Sequence, residues 1–593
     1  MEDPRKWASF AEFLAVAERS PGLGSVGQPT DSYPLLQGYR KSVRIFRTKL
    51  ENPALPLLIS LEGGTGTGKS TLFNALTGRH LSTTGVERPK TQGPVLYCHE
   101  RHGHLFGDGL LLPEYEKRST ALSTQAGEEP GDPQEIRLLL HRDPAWESLF
   151  LIDTPDVDSV ATGNRRIAED IYIVADAICF ITSQEKYGDQ IPFQIFRQAL
   201  TEGKSIFIVM NKVESRAAFE ELRERISGQA AATPLPPDRY FALPWEDGSE
   251  PEARLAQEAD LTRLRHTLLQ QVEASHPPAL RLQELEVLNT RLLKQSEALF
   301  SRLRAEREMG DQLGRKLEEI LAEAERALLE KSAAGMDAAS RRHLQTEISR
   351  IFRRYDLLRK PRSYVTRLLA SPLALFGYRP APDEEKRRRD LGKIHRQIPL
   401  QPLHGAMHAY NRKAHEEINA LGREELRTAF RTEDLALTPD EIESIFFRKQ
   451  ADLEDWLQAK FTEMARGISK SKEWGIYSTA LLWGVFLVTI ETVVGGGLTL
   501  FEAVLDSIIM PFLSKGAAEL FAYQELKELG QELDRRYKEQ LRDVLLVQHE
   551  RYRQVLDQSL VSPADLDLLE RLLVGMRRPD RALPPRDRKN HAV

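Results

Sequence analysis

Eight consecutive residues, Gly63-Gly64-Thr65-Gly66-Thr67-Gly68-Lys69-Ser70, carry the side chains and the backbone freedom needed to hold a chain of phosphates. Their spacing is G-x-x-x-x-G-K-[ST], between an apolar run and a helical stretch, which is the setting this motif requires. Glycines let backbone N–H groups turn inward around anionic oxygens, and the helix N-terminus adds partial positive charge. Lys69 is expected to reach the β- and γ-phosphates and to serve catalysis, and Ser70 to ligate magnesium. Thr71, the next residue, joins Gly63–Ser70 as a nucleotide-binding candidate. Thr65 and Thr67 supply the loop's polar side chains, and Thr65 is the catalytic candidate of the two.

Two later apolar runs end in polar residues suited to the same ligand. Leu149-Phe-Leu-Ile-Asp153 reads as a buried strand whose terminal aspartate can hold magnesium through water. Ile206-Phe-Ile-Val-Met-Asn211-Lys212-Val213-Glu214 is a second. Its ending resembles the Asn-Lys-x-Asp motif of the translation-factor-like GTPases, in which the acid accepts hydrogen bonds from guanine N1 and N2. After the first helix and before Leu149, Arg88-Pro89-Lys90-Thr91-Gln92-Gly93-Pro94 falls where that class has its first switch loop. The T-x-x-P spacing there nominates Thr91 for magnesium, the γ-phosphate and catalysis. Ala242, in Phe241-Ala242-Leu243, stands at the weak fifth motif. Two departures bear on chemistry. Asp156 replaces the glycine of Asp-x-x-Gly, so its carboxylate must point away from a γ-phosphate. Glu214 is one methylene longer than the usual base-reading aspartate; GTP is expected over ATP, and an ATPase stays open.

In layout the chain resembles the dynamin-like or mitofusin-like GTPases, particularly the bacterial ones. The specific match is confined to Gly63–Ser70, Thr91 with Pro94, Asp153–Pro155 and Asn211-Lys212. The resemblance implies a magnesium-dependent GTP hydrolase anchored on a membrane, whose cycle drives dimerisation through the GTPase domain and movement of a helical stalk. Potassium-stimulated relatives carry Asn where this chain has Gly66, and no Gln follows Asp153 to position water. Slow turnover, accelerated by dimerisation or a partner, is the expectation.

Around these residues, Leu57–Leu61, Val95–His99, Ile136–His141, Leu149–Ile152, Ala177–Thr182, Ile206–Met210 and Tyr240–Leu243 alternate with amphipathic helices. That pattern predicts an α/β P-loop GTPase domain, a mostly parallel sheet with helices on both faces, over residues 55–276. Residues 1–54 read as a helical segment, and residues 100–134 and 229–238 as loops. A large all-α domain follows: a bundle or stalk over 277–470, an apolar hairpin over 471–515, a returning helical stalk over 516–577 and a disordered tail over 578–593. Leu285, Leu292 and Leu299 recur every seven residues, which fits bundle packing or a coiled coil. Thr438-Pro439-Asp440-Glu441 has the form of a capping box.

A net charge of -6 with 29% charged residues argues against bulk nucleic-acid binding, and no nucleic-acid partner is expected. Two cysteines, Cys98 and Cys179, cannot build a disulfide framework and suit a reducing compartment. No signal-peptide pattern opens the sequence, so a cytoplasmic location is expected, at the cytoplasmic face of a membrane. The membrane expectation rests on Trp474–Ile490, which holds no charge, and on the apolar residues that continue to Leu513. A bilayer span takes about twenty apolar residues. Gly495-Gly496-Gly497 could turn a hairpin, and the basic stretch Arg353–Arg396 could dock on anionic lipid. Burial of the same tract inside the bundle is the alternative, and would suit a soluble regulatory GTPase of ribosome or RNA assembly. A nucleotide-binding scaffold with little hydrolysis is a further one. Cys98, His99, His102 and His104 match no usual zinc spacing.

Overall fold

The computed structural model describes residues 5–20, 33–82, 93–107, 110–121, 135–155, 162–183, 190–229, 235–244, 258–273, 279–334, 400–421, 427, 429–430, 435–467 and 517–577. The chain divides into two compact units, Met1–Leu303 with Pro563–Val593, and Arg304–Ser562. The apolar tract near 474–513, the basic segment 353–396 and the helix expected at 338–358 lie outside the described residues. Among the described residues no helix is long and apolar enough to cross a membrane.

The first unit is built on eight strands: β1 Leu57–Gly63, β2 Val95–His99, β3 Glu116–Ala121, β4 Glu135–His141, β5 Leu149–Asp153, β6 Ala177–Ser183, β7 Ser205–Val213 and β8 Tyr240–Pro244. They form one sheet in the order β3-β4-β2-β5-β1-β6-β7-β8. Only the β2–β5 pairing is antiparallel. The central strands are buried along their whole length because helices cover both faces. On one face Leu57, Ile59 and Leu61 of β1 meet Leu72, Phe73 and Leu76 of the Lys69–Thr77 helix, and Leu264 and Leu268 of the Ala259–Glu273 helix. On the other, Ile178 and Phe180 of β6 and Ile208 of β7 pack on Phe196 of Gln190–Glu202 and Ile226 of Arg216–Gln229. This is the mostly parallel α/β sheet that the apolar runs predict.

β3 is a correction. Glu116-Lys-Arg-Ser-Thr-Ala121 lies in the stretch expected to be loop. It pairs with β4 alone, at the edge of the sheet. An edge strand needs no continuous apolar run, and its charges discourage further pairing.

The flanking helices are joined to the base of the sheet by buried charges. Asp176, just before β6, accepts from Lys49 Nζ at 2.9 Å, from Arg281 Nη2 at 3.0 Å and from the Leu58 backbone N–H of β1 at 2.8 Å. Lys49 belongs to the Tyr33–Glu51 helix and Arg281 to the Ala279–Ala334 helix. Arg281 also donates to the Leu55 and Pro56 carbonyls at 3.2 and 3.0 Å. Lys204, before β7, pairs with Glu284 at 2.8 Å. Burial opposes ionisation of Asp176, but Arg281 and Lys49 together hold its carboxyl well below the usual carboxylate range. Burial draws Lys204 down to about 8 and Glu284 up.

In the same unit the Arg5–Arg19 helix packs on the Tyr33–Glu51 helix through Phe10 on Phe46 and Phe13 on Tyr39. Tyr39 Oη donates to the Phe10 carbonyl at 3.2 Å and accepts from Ser296 Oγ at 3.0 Å. Pro563–Arg577 also belongs here, through Arg577 on Glu297 at 2.6 Å.

The second unit is helical, as the composition predicts after residue 277. It holds the distal part of Ala279–Ala334 with Gln401–Ala420, Pro439–Gly467 and Ala517–Ser559. Leu317, Tyr410, Phe446, Val544 and Leu545 lie in its core. The expected capping box is present: Thr438 N–H donates to Glu441 Oε2 at 2.8 Å, and Glu441 N–H to Thr438 Oγ1 at 3.3 Å. The leucines at 285, 292 and 299 are buried in packing within the chain.

Asp176→Asn would leave Lys49 and Arg281 buried without a carboxylate. A loss of about 3–5 kcal/mol is expected in urea unfolding of the first unit. Asp176 has a depressed folded pKa, so its stabilisation is full above the ordinary Asp value and is lost as pH falls through the folded one. The difference between wild type and Asp176→Asn should therefore narrow only at strongly acid pH. Thr438→Ala removes one cap and should cost about 1 kcal/mol in urea unfolding of the second unit.

Candidate nucleotide site at the carboxyl edge of the sheet

Three strand ends converge at one edge. β1 ends at Gly63 and β5 at Asp153, with Leu61 and Asp153 in register. Asn211 of β7 is level with Ser183, the last residue of β6. β1 lies between β5 and β6, so the chain winds away to either side of it. Such a crevice beyond the carboxyl ends of parallel strands is where ligands of open α/β sheets sit.

The loop Gly63–Gly68 crosses this crevice and delivers the helix Lys69–Thr77. Gly63 has no room for a side chain, because a Cβ there would lie 2.4 Å from the Ile181 carbonyl oxygen. Gly68 is the helix N-cap at φ 95°, and a Cβ would meet Asn211 Nδ2 at 2.2 Å. Both positions therefore exclude any larger residue. Lys69 is buried, with Nζ donating to the Gly63 and Gly64 carbonyls at 2.9 and 3.1 Å. Thr67 Oγ1 closes the loop on Gly64 O at 2.9 Å. Thr65 and Thr71 are half-buried and Gly66 is exposed.

The far motifs lock onto this loop. Asn211 Nδ2 donates to the Thr67 carbonyl at 2.9 Å, and Lys212 Nζ to the Gly66 carbonyl at 3.1 Å. Lys212 takes a left-handed φ of 59°, held by its N–H on Asn211 Oδ1 at 2.9 Å. A non-glycine residue in that region is strained, and strain of this kind collects at functional sites. Glu214 follows as an exposed residue. Ala242 sits beside Met210, with its N–H on Asp260 Oδ2 at 2.8 Å.

Ser70 Oγ donates to Asp153 Oδ2 at 2.7 Å, so the two magnesium candidates described here are adjacent. Asp153 is fully buried. A hydroxyl and a carboxylate facing one point at a helix N-terminus form a hard oxygen donor set, which suits Mg2+. Thr91 and Asp156 lie outside the described residues. Among the described residues no group of three or more His, Cys, Asp or Glu could hold a metal, and His99 Nδ1 instead accepts from the Arg101 N–H at 3.3 Å.

The site holds residues that the motifs do not reveal. Ser82 Oγ also donates to Asp153 Oδ2, at 2.7 Å. Asn74 holds Ser82 in place: its Oδ1 accepts from the Leu81 and Ser82 N–H groups at 2.9 and 2.8 Å, and its Nδ2 donates to Ser82 O at 2.8 Å. An asparagine inside a helix costs propensity, which is the one weak sign of a side-chain task that the sequence carries. Thr154 Oγ1 ties the end of β5 to the Leu61 carbonyl.

Comparison with known proteins agrees with this geometry over part of the chain. Residues 58–212 match the family model described as "50S ribosome-binding GTPase". No curated protein matches the chain. Two solved chains of an oligomerised bacterial dynamin pair, described as providing a mechanism for long-range sensing and tethering of membranes, are similar to it at 11% and 12% identity. They cover 98% and 97% of this chain and 96% and 94% of their own, each with a TM-score of 0.40, too low to show a shared overall fold. Phosphate loop, sheet order and family model coincide on one segment, and residues 58–212 form a P-loop GTPase domain.

Proposed function

We propose that this protein binds GTP with Mg2+ and hydrolyses it slowly, and that it is a dynamin-like, membrane-associated GTPase whose nucleotide cycle moves its helical part. The observation that carries the nucleotide reading is the junction of Lys69, Ser70 and Asp153 with Asn211 and Lys212 on one loop. Backbone N–H groups of Gly64–Ser70 would surround the phosphates, and Lys69 would transfer its ammonium from the Gly63 and Gly64 carbonyls to the β- and γ-phosphates. Ser70 and Asp153, with Thr91, would hold Mg2+, whose chemistry is to neutralise charge on the phosphate oxygens. Asn211 and Lys212 would line the base, Glu214 would read guanine N1 and N2, and Ala242 would border it. Thr65 is the loop side chain proposed to assist hydrolysis.

The membrane part rests on sequence: the apolar tract Trp474–Leu513, the basic stretch Arg353–Arg396 and the layout shared with dynamin-like GTPases. An anionic membrane and a second copy of this chain, meeting through the GTPase domain, are the proposed partners. The division into residues 1–54, 55–276, 277–470, 471–515, 516–577 and 578–593 is kept as the functional layout, and a cytoplasmic-face location follows from it.

Purified protein should bind a fluorescent GTP analogue in preference to an ATP analogue, and Lys69→Ala should weaken that binding at least about 100-fold, in line with loss of a charge-assisted contact. Equal affinity for both nucleotides would remove the guanine assignment, and turnover no higher in wild type than in Lys69→Ala would leave a binding scaffold. In flotation with anionic liposomes, the full chain should rise with the vesicles, and a folded deletion of Trp474–Leu513 should stay below. Should the full chain stay in solution with every nucleotide, the membrane role is lost and the GTPase remains.

A further inference from the structure

Glu62 stands one residue before the phosphate loop, in β1, and is 1% exposed. An acid in a central strand of a covered sheet is costly unless its charge is balanced. Its Oε1 has no hydrogen-bond partner among the described residues. Its Oε2 lies 3.4 Å from Thr154 Oγ1, whose hydroxyl also lies close to the Leu61 carbonyl. The groups that act on it are Ser60 on its own strand, Lys69 at the start of the helix, Thr154 after β5 and Lys204 before β7, while β6 sets apolar Phe180 opposite it. Burial is the largest influence and pushes the carboxyl up to about 7, against the pull of those four.

Lys69 is itself buried, its ammonium held on Gly63 O and Gly64 O. Both side chains are buried where β1 meets the loop, and the Lys69 charge acts on the Glu62 carboxyl. A nucleotide entering that loop brings several negative charges and competes for the ammonium. A carboxylate left behind would then face like charge in a low dielectric, which favours its neutral form.

We infer that Glu62 is a positioning residue acting through Lys69: its carboxylate balances the buried ammonium in the free protein, and it takes up one proton from solvent when phosphates draw that ammonium away. This rests on the nucleotide reading and deepens it. Binding and protonation are then linked, so protonation of Glu62 strengthens nucleotide affinity and bound nucleotide strengthens proton binding. The neutral carboxyl gains an O–H that faces Thr154 Oγ1, the residue after the magnesium candidate Asp153. Nucleotide affinity falls as pH rises through the range where free Glu62 ionises.

The test is isothermal titration of GDP with Mg2+ into the full chain from pH 6 to 9, in two buffers of different ionisation enthalpy. Wild type should bind GDP at least about tenfold more weakly at pH 8.5 than at pH 6.5, the limit being about tenfold per pH unit for one linked proton. At pH 8 it should take up a measurable fraction of a proton per GDP bound. Glu62→Gln keeps the shape without the charge, and should bind tightly across the range with no proton taken up at pH 8. Its thermal melt checks that it is folded, and a failed fold leaves the wild-type proton count to decide. Equal proton uptake in both proteins, or none in wild type, overturns the inference. If GDP does not bind at any pH, the nucleotide reading falls and the inference with it.

Discussion

The first unit depends on a carboxylate that cannot be hydrated. Asp176 lies at the base of the sheet, where it meets a lysine from the helix before the strands, an arginine from the helix after them and a backbone N–H of β1. Side chains of all three residues are 1% exposed. Desolvating three charges is tolerable only if each is paired with good geometry, so each helix has one docking position. Apolar packing alone would allow small slides at little cost. The charged cluster makes the connection specific, and the aromatic contacts of Phe10, Phe13 and Tyr39 then fill around a fixed frame.

The same strand carries the chemistry at its other end. β1 receives Asp176 at Leu58 and leads into Glu62 and Gly63 beneath the phosphate loop. Between them lie only a few buried residues, hydrogen-bonded on both sides to β5 and β6. The packed interior leaves such a strand little room to shift on its own. Lys69, Asn211 and Lys212 hold the loop's carbonyls, while Asp153 gathers hydroxyls from Ser70 and Ser82. These groups stand at the ends of β1, β5 and β7. The helices that carry Lys49 and Arg281 are fastened to the opposite end of that sheet.

Much of the fold was legible in one dimension. Seven of the strands coincide with apolar runs, because a strand covered on both faces must be apolar along its length. Thr438 and Glu441 announce a helix start through local hydrogen bonds that need no distant partner. Gly63–Ser70 was readable because phosphate binding demands glycines and a cation at fixed spacing. β3 escaped, since an edge strand can be charged. Ser82 and Asn74 escaped because a hydroxyl and an amide are common everywhere, and only their placement beside Asp153 gives them a task.

By itself the sequence determined the element types other than β3, the phosphate loop and the strand-end residues Asp153, Asn211 and Lys212. Those follow from local periodicity and from ligand chemistry that permits few residue types. Tertiary structure alone decided that Ser82 shares Asp153 with Ser70, that Lys212 reaches back to Gly66 and that Asp176 joins Lys49 to Arg281. Nor could the chain order show that Glu62 ends up buried with Lys69, or that Pro563–Arg577 rejoins the first unit. Each of these pairs residues far apart along the chain or sets burial that composition does not encode. A charge's meaning depends on what surrounds it, and its surroundings exist only once the chain has folded.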